Sequence, residues 1–273
     1  MNKFKLIASD LDGTLLTSEK EISPMAKTII NRYINDGGIF VPCTGRAYNA
    51  IHEWLRKHEG IRYYISTNGA TVYDSKEDKI LKSFGVSYDI LVDVLKMVSN
   101  DASVEIILNG TMYTEKLIDI YDYHVEDYFR YHYHKTRVET ESLTKLAGES
   151  KFPIEKLHVI CKYANEQELL VSKISAKYPH LSVYKGPAKC VEITDERATK
   201  GDGLKFLAEH LNINLDEVLC FGDQFNDISM TKYFKYSVAM DNAIDELKAE
   251  ANYLTCNNDD DGVAKKIQEF LNY

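Results

Sequence analysis

The chain has 273 residues, 44% hydrophobic and 27% charged, which suits a globular protein of one large domain or two smaller ones. A formal net charge of −9 argues against nucleic acid or an anionic membrane as the main partner, so a site for an anion must be made positive locally. The five cysteines form no Cys-x-x-Cys pair and no apolar run reaches membrane-spanning length; a zinc or redox motif and a membrane span are not indicated, and a reduced, cytoplasmic protein is expected.

An apolar run at 4–8 predicts a buried strand that runs out into Asp10-Leu11-Asp12-Gly13-Thr14. Residues 24–36 read as an amphipathic helix, capped by Ser23 and stopped by Gly37-Gly38. A second strand is expected at 39–43, with Pro42 marking a strand end or an edge. A helix over 46–59 and a strand over 63–66 follow. Asn68-Gly69 reads as a tight turn before short strands at 70–73 and 80–84.

The pattern changes near Phe84. A helix is expected at 87–99, then a hairpin of strands 104–108 and 112–114 around Asn109-Gly110. A tyrosine-rich helix at 115–130 and a strand at 133–138 come next, with no defined element from there to about 155. A strand at 157–163, a helix at 165–178 and strands at 181–184 and 189–193 complete an α+β segment. From Thr199 strands and helices alternate again: helix 201–210, strand 218–221, helix 225–232, strand 237–239, helix 243–249, strand 253–255 and helix 263–271. Residues 1–83 and 193–273 are therefore expected to form one α/β core around a doubly wound, mostly parallel sheet. Residues 84–192 are expected to form an inserted α+β cap.

Four segments of the core carry chemistry. Asp10 and Asp12 lie where a strand meets a loop, and residues i and i+2 of an extended chain face the same way. The bland alternative is an Asp-Gly turn. Thr44-Gly45-Arg46 also follows a strand, where a threonine can cap a helix or offer its hydroxyl and nearby N–H groups to an anion. Lys200 stands in the first turn of a helix, against the macrodipole, with Gly201 and Gly203 weakening the same turns. Local rules broken in this way often mark a functional site, the alternative being an exposed lysine on a poor helix. Asp223 and Asp227, in Gly222-Asp223-Gln224-Phe225-Asn226-Asp227, follow a further strand and can cap a helix or hold a hard cation. Right-handed crossovers place all four segments on one edge of a parallel sheet.

These residues resemble the haloacid dehalogenase-like hydrolase superfamily, in its Cof-type, sugar-phosphatase-like branch with a type-2 cap. The resemblance extends to Thr67-Asn68-Gly69-Ala70, to Val238-Ala239-Met240-Asp241-Asn242-Ala243 and to Asp261-Gly262-Val263-Ala264. Asp241 stands where that branch usually has glycine, so a changed loop is expected there. The cap matches only by position and α+β pattern.

The resemblance implies a Mg²⁺-dependent phosphatase acting on a small phosphorylated metabolite, such as a sugar phosphate. It implies Asp10 as nucleophile, forming an aspartyl-phosphate, and Asp12 as the acid and then the base. Mg²⁺ would be held by the Asp10 carboxylate, the Asp12 backbone carbonyl and Asp223. Phosphate oxygens would be held by Thr44 and Gly45 N–H, the Leu11 N–H, Lys200 and Asn226. Asp227 would orient Lys200 or a metal-bound water. A phosphomutase is the alternative from another enzyme class, and a phosphometabolite-binding regulator with weak turnover is a third. The substrate, the residues that select it and the oligomeric state are not legible. His124, His132 and His134 and the tyrosines between 121 and 133 read as surface or cap packing, and Asp259-Asp260-Asp261 as a solvated loop.

Overall fold

A computed structural model of the chain describes residues 3–117, 133, 135–186 and 189–272. It divides into two compact units: Met1–Arg46, Ile51–Lys82 and Thr199–Tyr273 form the first, and Ala47–Ala50 with Ser83–Ala198 the second.

The first unit is built on a five-stranded parallel sheet in the order Tyr253–Leu254, Tyr236–Ala239, Val218–Gly222, Leu6–Ser9, Ile39–Pro42. Every residue of Leu6–Ser9 and Val218–Gly222 is buried, as expected of parallel strands covered on both faces. Leu204, Leu207 and Ala208 of the helix Lys200–His210 pack on Leu6, Ala8, Val41, Val218 and Cys220. Ile39–Pro42 is the edge strand and Pro42 ends it, so a missing N–H costs the ladder nothing. The helix Pro24–Asn35 starts where Ser23 Oγ accepts from the Ala26 N–H at 2.9 Å. A parallel bridge from Cys43 to Ile65 leads to the antiparallel pair Tyr63–Ser66 and Thr71–Asp74.

Three expected features of the outer segments differ, and the first is divided between the two units. The single helix over 46–59 is a 3₁₀ turn at Tyr48–Ala50 and a short helix Glu53–Lys57. The Asn49 N–H donates to the Gly110 carbonyl, not to a helix ladder, and His52 Nδ1 caps the second piece. The helix over 225–232 is likewise a 3₁₀ turn, Phe225–Asp227, followed by Ile228–Thr231. There the Asp227 carboxylate turns back onto the N–H groups of Asp223 and Gln224, which tightens the turn. The acidic run near the C-terminus is not simply solvated. Asp259 accepts from the Ser18 N–H and hydroxyl at 2.7 and 2.6 Å, and Asp261 accepts from the Ser23 hydroxyl.

The second unit has a six-stranded sheet in the order Leu181–Lys185, Cys190–Asp195, Ile154–Ile160, Ser103–Leu108, Thr111–Thr114, Arg137–Glu139. One face is apolar: Val104, Ile106, Leu157, Val159, Val191 and Ile193 pack beneath Leu91 and Val94 of Tyr88–Met97, Leu143 of Leu143–Glu149 and Ile174 of Ala164–Lys177. The alternate residues Glu105, Lys156, His158 and Glu192 carry charge on the other face. The strand expected at 157–163 begins earlier, at Ile154. Its charged first residues are paired: Glu155 accepts from the Gly110 N–H at 2.7 Å and Lys156 donates to Glu192 at 2.8 Å. The helix Leu143–Glu149, capped by Ser142, falls where no element is expected. The strand expected at 133–138 is confined to Arg137–Glu139. Beyond Leu117 the helix expected over 115–130 lies outside the described residues, as do His124, His132, His134 and the tyrosines at 121, 123, 128 and 131.

Candidate active site

Ser9 is paired with Phe221 on one side and with Pro42 on the other, so three parallel strands end together. Asp10, Thr44 and Asp223 follow those ends, at the carboxyl edge where the chain order of the sheet reverses. Asp10 is 5% exposed and Asp223 3%.

Lys200, at the first position of its helix, is fully buried, and its ammonium lies 2.7 Å from Asp10 Oδ1 and 2.7 Å from Asp227 Oδ1. An exposed lysine on a poor helix is thereby excluded. The two glycines beside it have a steric purpose. A Cβ on Gly201 would meet the Ser229 carbonyl at 2.1 Å, and one on Gly203 would meet Ile65 Cγ2 at 3.0 Å. The weak helix start is what lets the lysine come down onto the sheet edge. Burial works against the charged ammonium, but Asp10 and Asp227 outweigh it and hold Lys200 protonated well above the usual lysine range.

Asp227 is fully engaged. Its Oδ1 meets Lys200, and its Oδ2 accepts from the N–H groups of Asp223 and Gln224, each at 2.9 Å. It therefore sets the position of Lys200 and of the Asp223 loop. Asp223 accepts from the Thr14 hydroxyl at 2.7 Å. Gly13, at φ 78°, lies against it: a Cβ there would meet Asp223 Oδ2 at 2.4 Å. Asn242 holds the same turn, its Nδ2 donating to the Gly13 carbonyl at 2.8 Å.

Carboxylate oxygens of Asp10, Asp223 and Asp227 lie within 4.8 Å of one another. Among the described residues Lys200 is the one cation that pairs with them, so the cluster carries more negative charge than that cation cancels. Burial, then the neighbouring carboxylates, push the pKa values of Asp10 and Asp223 up, against the pull of Lys200. A hard divalent cation suits this donor set, since Mg²⁺ takes one or two carboxylates and fills its shell with water and phosphate. Asp10 and Asp223 are the residues that would hold it.

Asp12 is turned elsewhere. Arg46 grips it with Nε to Oδ2 and Nη2 to Oδ1, both at 2.7 Å, and Lys20 Nζ adds a contact at 2.9 Å. Burial alone would raise its pKa, but Arg46 and Lys20 overcome this and bring it to about 2. Lys20 and Arg46 as partners of Asp12 carry no local sequence signal. The Thr44 N–H, expected to face a phosphate oxygen, is instead committed to the Ile65 carbonyl at 2.9 Å, and the Thr44 hydroxyl accepts from the Arg46 N–H at 3.2 Å. Asn226 reaches Asn68, Nδ2 to Oδ1, at 2.9 Å. Asp241 takes no left-handed backbone, so the position does not depend on glycine here.

A family model of haloacid dehalogenase-like hydrolases matches residues 7–267. The chain belongs to that family. Similar curated proteins include a 5-amino-6-(5-phospho-D-ribitylamino)uracil phosphatase, YitU, of Bacillus subtilis, 29% identical over 97% of this chain and 97% of its own. An HMP-PP phosphatase of Yersinia enterocolitica is 27% identical over 98% and 96%. A haloacid dehalogenase-like hydrolase from Bacteroides thetaiotaomicron superposes with a TM-score of 0.85 at 25% identity, over 97% of this chain and 99% of that one. The protein is thus a Cof-type haloacid dehalogenase-like hydrolase of the phosphomonoesterase class. No helix among the described residues is long and apolar enough to cross a membrane.

Proposed function

We propose that the enzyme hydrolyses a small phosphorylated metabolite in a Mg²⁺-dependent reaction that passes through an aspartyl-phosphate on Asp10. The observation that carries this reading is the buried Asp10–Lys200 pair at 2.7 Å, within a cluster of three carboxylates that shares this one ammonium. A carboxylate attacking a phosphate dianion meets strong repulsion. A bound divalent metal supplies charge neutralisation and alignment for such a transfer.

The residues divide the rest of the work. Lys200, fixed by Asp227, faces Asp10 and offsets charge on the nucleophile and the incoming phosphate. An Asp10 oxygen attacks phosphorus, and the bond from phosphorus to the ester oxygen breaks. That oxygen takes a proton from Asp12. Water then attacks the phosphorus of the aspartyl-phosphate and gives a proton to Asp12, and the bond from Asp10 to phosphorus breaks. Thr44, Gly45, Leu11 and Asn226 hold the phosphate oxygens. For Asp12 to act as acid, its grip on Arg46 and Lys20 must loosen, since in the present arrangement it is ionised. Choice of substrate is assigned to the second unit, and the two relatives' names point to small organic phosphates as the class.

A screen of small phosphate esters with Mg²⁺, read as released phosphate, tests the reading. With an aryl phosphate, Asp12→Ala should give a burst near one equivalent per site and then slow turnover. Acid quench and peptide mass should place the phosphoryl group on Asp10. No release from any ester, or a burst without modification of Asp10, would overturn it.

A further inference from the structure

The loop after Tyr63–Ser66 takes no part in the chemistry above, yet it touches three segments that do. The Thr67 N–H donates to the Arg46 carbonyl at 2.9 Å and the Asn68 N–H to the Thr44 carbonyl at 3.0 Å. Gly69 lies so close to the start of the Lys200 helix that a Cβ on it would meet the Thr199 carbonyl at 2.0 Å. The Asn68 side chain completes the bridge. Its Oδ1 accepts from Asn226 Nδ2 at 2.9 Å, and a Cβ on Gly45 would meet the same oxygen at 2.8 Å.

The backbone is left-handed at Thr67 (φ 52°), Asn68 (φ 57°) and Gly69 (φ 90°) in succession. A β-branched threonine is strongly disfavoured there. Strain of that kind persists only where the surroundings over-determine it, and it gathers at working sites. The side chain at position 68 is restricted as well. Of the residues that tolerate a left-handed backbone, glycine offers no side chain and aspartate would add a negative charge. Aspartate does occupy such a backbone in this chain, at Asp78 and Asp261. Asparagine alone supplies an uncharged acceptor for Asn226.

Resting on the phosphatase reading, we propose that Asn68 is a positioning residue for phosphate. It holds Asn226 by one amide N–H so that the other donates to the ester's phosphate, and it backs the Gly45 backbone that donates beside it. An amide NH₂ carries two donors, so the Asn68–Asn226 bond leaves one for an anion.

The test uses the full chain with Mg²⁺ and reads two quantities: orthophosphate affinity by calorimetry, and KM and kcat for an aryl phosphate. Asn68→Gly keeps the left-handed backbone and deletes the amide. It should weaken orthophosphate and raise KM about tenfold, the size of one lost hydrogen bond to an anion, with kcat and the unfolding midpoint changed far less. Asn226→Ala should do the same. The double variant should be no worse than the poorer single, because the two residues act through one bond. Asn68→Asp keeps the acceptor but adds charge, and should weaken orthophosphate more than glycine does; this variant and Asn226→Ala carry the test if Asn68→Gly fails to fold. Unchanged orthophosphate affinity and KM in Asn68→Gly, or losses that add in the double variant, would overturn the assignment while wild-type turnover keeps the phosphatase reading. A wild type that neither binds orthophosphate nor releases it from any ester would overturn both.

Discussion

Each compact unit buries a cluster of charged side chains, and the two are balanced differently. In the first unit Asp10, Asp223 and Asp227 surround Lys200, and the carboxyls of Asp10 and Asp223 are pushed up because burial and mutual repulsion exceed what one ammonium relieves. In the second unit Glu105 is also fully buried, but Arg137 reaches it at 3.1 and 3.2 Å and His158 Nδ1 at 2.8 Å. Burial would raise Glu105, and Arg137 with His158 overcome this and bring it to about 2. Glu192 is paired with Lys156 in the same way. One cluster has spare negative charge and the other has none. Spare buried charge is costly unless something arrives to meet it, so the imbalance points to a working site and the balance to scaffolding. Variants of the two clusters test that contrast, in order of their expected effect on phosphate release.

The largest effect belongs to Asp10. Asp10→Asn removes the nucleophile and one excess charge together. Turnover should fall on the order of 10⁴-fold or more, while thermal stability in chelator should hold or rise, because a repelling carboxylate is gone. A destabilised Asp10→Asn would show that the core cluster is balanced after all.

Metal comes next. Chelation should abolish release, Mg²⁺ should restore it, and Ca²⁺ should restore it poorly. Saturating Mg²⁺ should also raise the unfolding midpoint of the wild type, by roughly 2–3 kcal/mol in stability at 100-fold excess over the dissociation constant. Asp223→Ala should lose that gain, whereas Glu105→Gln should keep it. An equal Mg²⁺ response in wild type and Asp223→Ala would remove Asp223 from the metal site.

Lys200→Met should cost about 10²-fold or more in turnover. On sequence alone, removal of an exposed lysine would leave folding untouched, but this lysine is fully buried between two carboxylates. Its loss should therefore destabilise by roughly 3–5 kcal/mol, and Mg²⁺ should recover part of this. Denaturant curves with and without Mg²⁺ read both effects. A Lys200→Met protein as stable as wild type in chelator would contradict the pairing.

That difference marks what could be read in advance. Asp10, Asp12 and Asp223 are legible because each sits in a short segment whose strand, turn and acid are contiguous. The alternating outer segments likewise reveal a parallel sheet. Partners brought together across the chain are not legible. Asp12 and Arg46 are 34 residues apart and Asn226 and Asn68 158 apart, and nothing local in either segment names the other. The second unit is the least legible for a physical reason. Glu105, Lys156, His158 and Glu192 alternate with apolar residues, which is also the pattern of a strand with a solvated face, yet Glu105, Lys156 and His158 are buried. Charge pairing across three strands, not exposure, explains them.

The smallest effect on turnover, and the sharpest test of balance, concerns His158. Burial disfavours its charged ring, but the Cys190 sulfur and the Glu105 carboxylate outweigh that and raise it from 6.5 to about 10. Around it stand Glu105 and Glu192 as anions, Arg137 and Lys156 as cations, and the Cys190 thiol. A group whose folded value is raised stabilises fully below its unfolded value and loses that contribution as pH climbs to the folded one. His158 should therefore stabilise fully below about pH 6.5, less with each step above it, and not at all beyond about pH 10. Glu105, lowered from 4.5 to about 2, has the opposite sign: its contribution is complete above about pH 4.5 and disappears toward pH 2. The cluster is strongest between those limits. His158→Gln can still hydrogen-bond Glu105 but cannot titrate. Urea unfolding of wild type and this variant from pH 6 to 10 reads the ring, because titrations not coupled to it cancel in the difference. The stability gap should be a few kcal/mol near pH 6 and should close as pH approaches 10, with Mg²⁺ affinity unaltered throughout. A gap that stays constant with pH would mean that the ring is neutral when folded, and that Arg137 rather than His158 offsets the charge of Glu105.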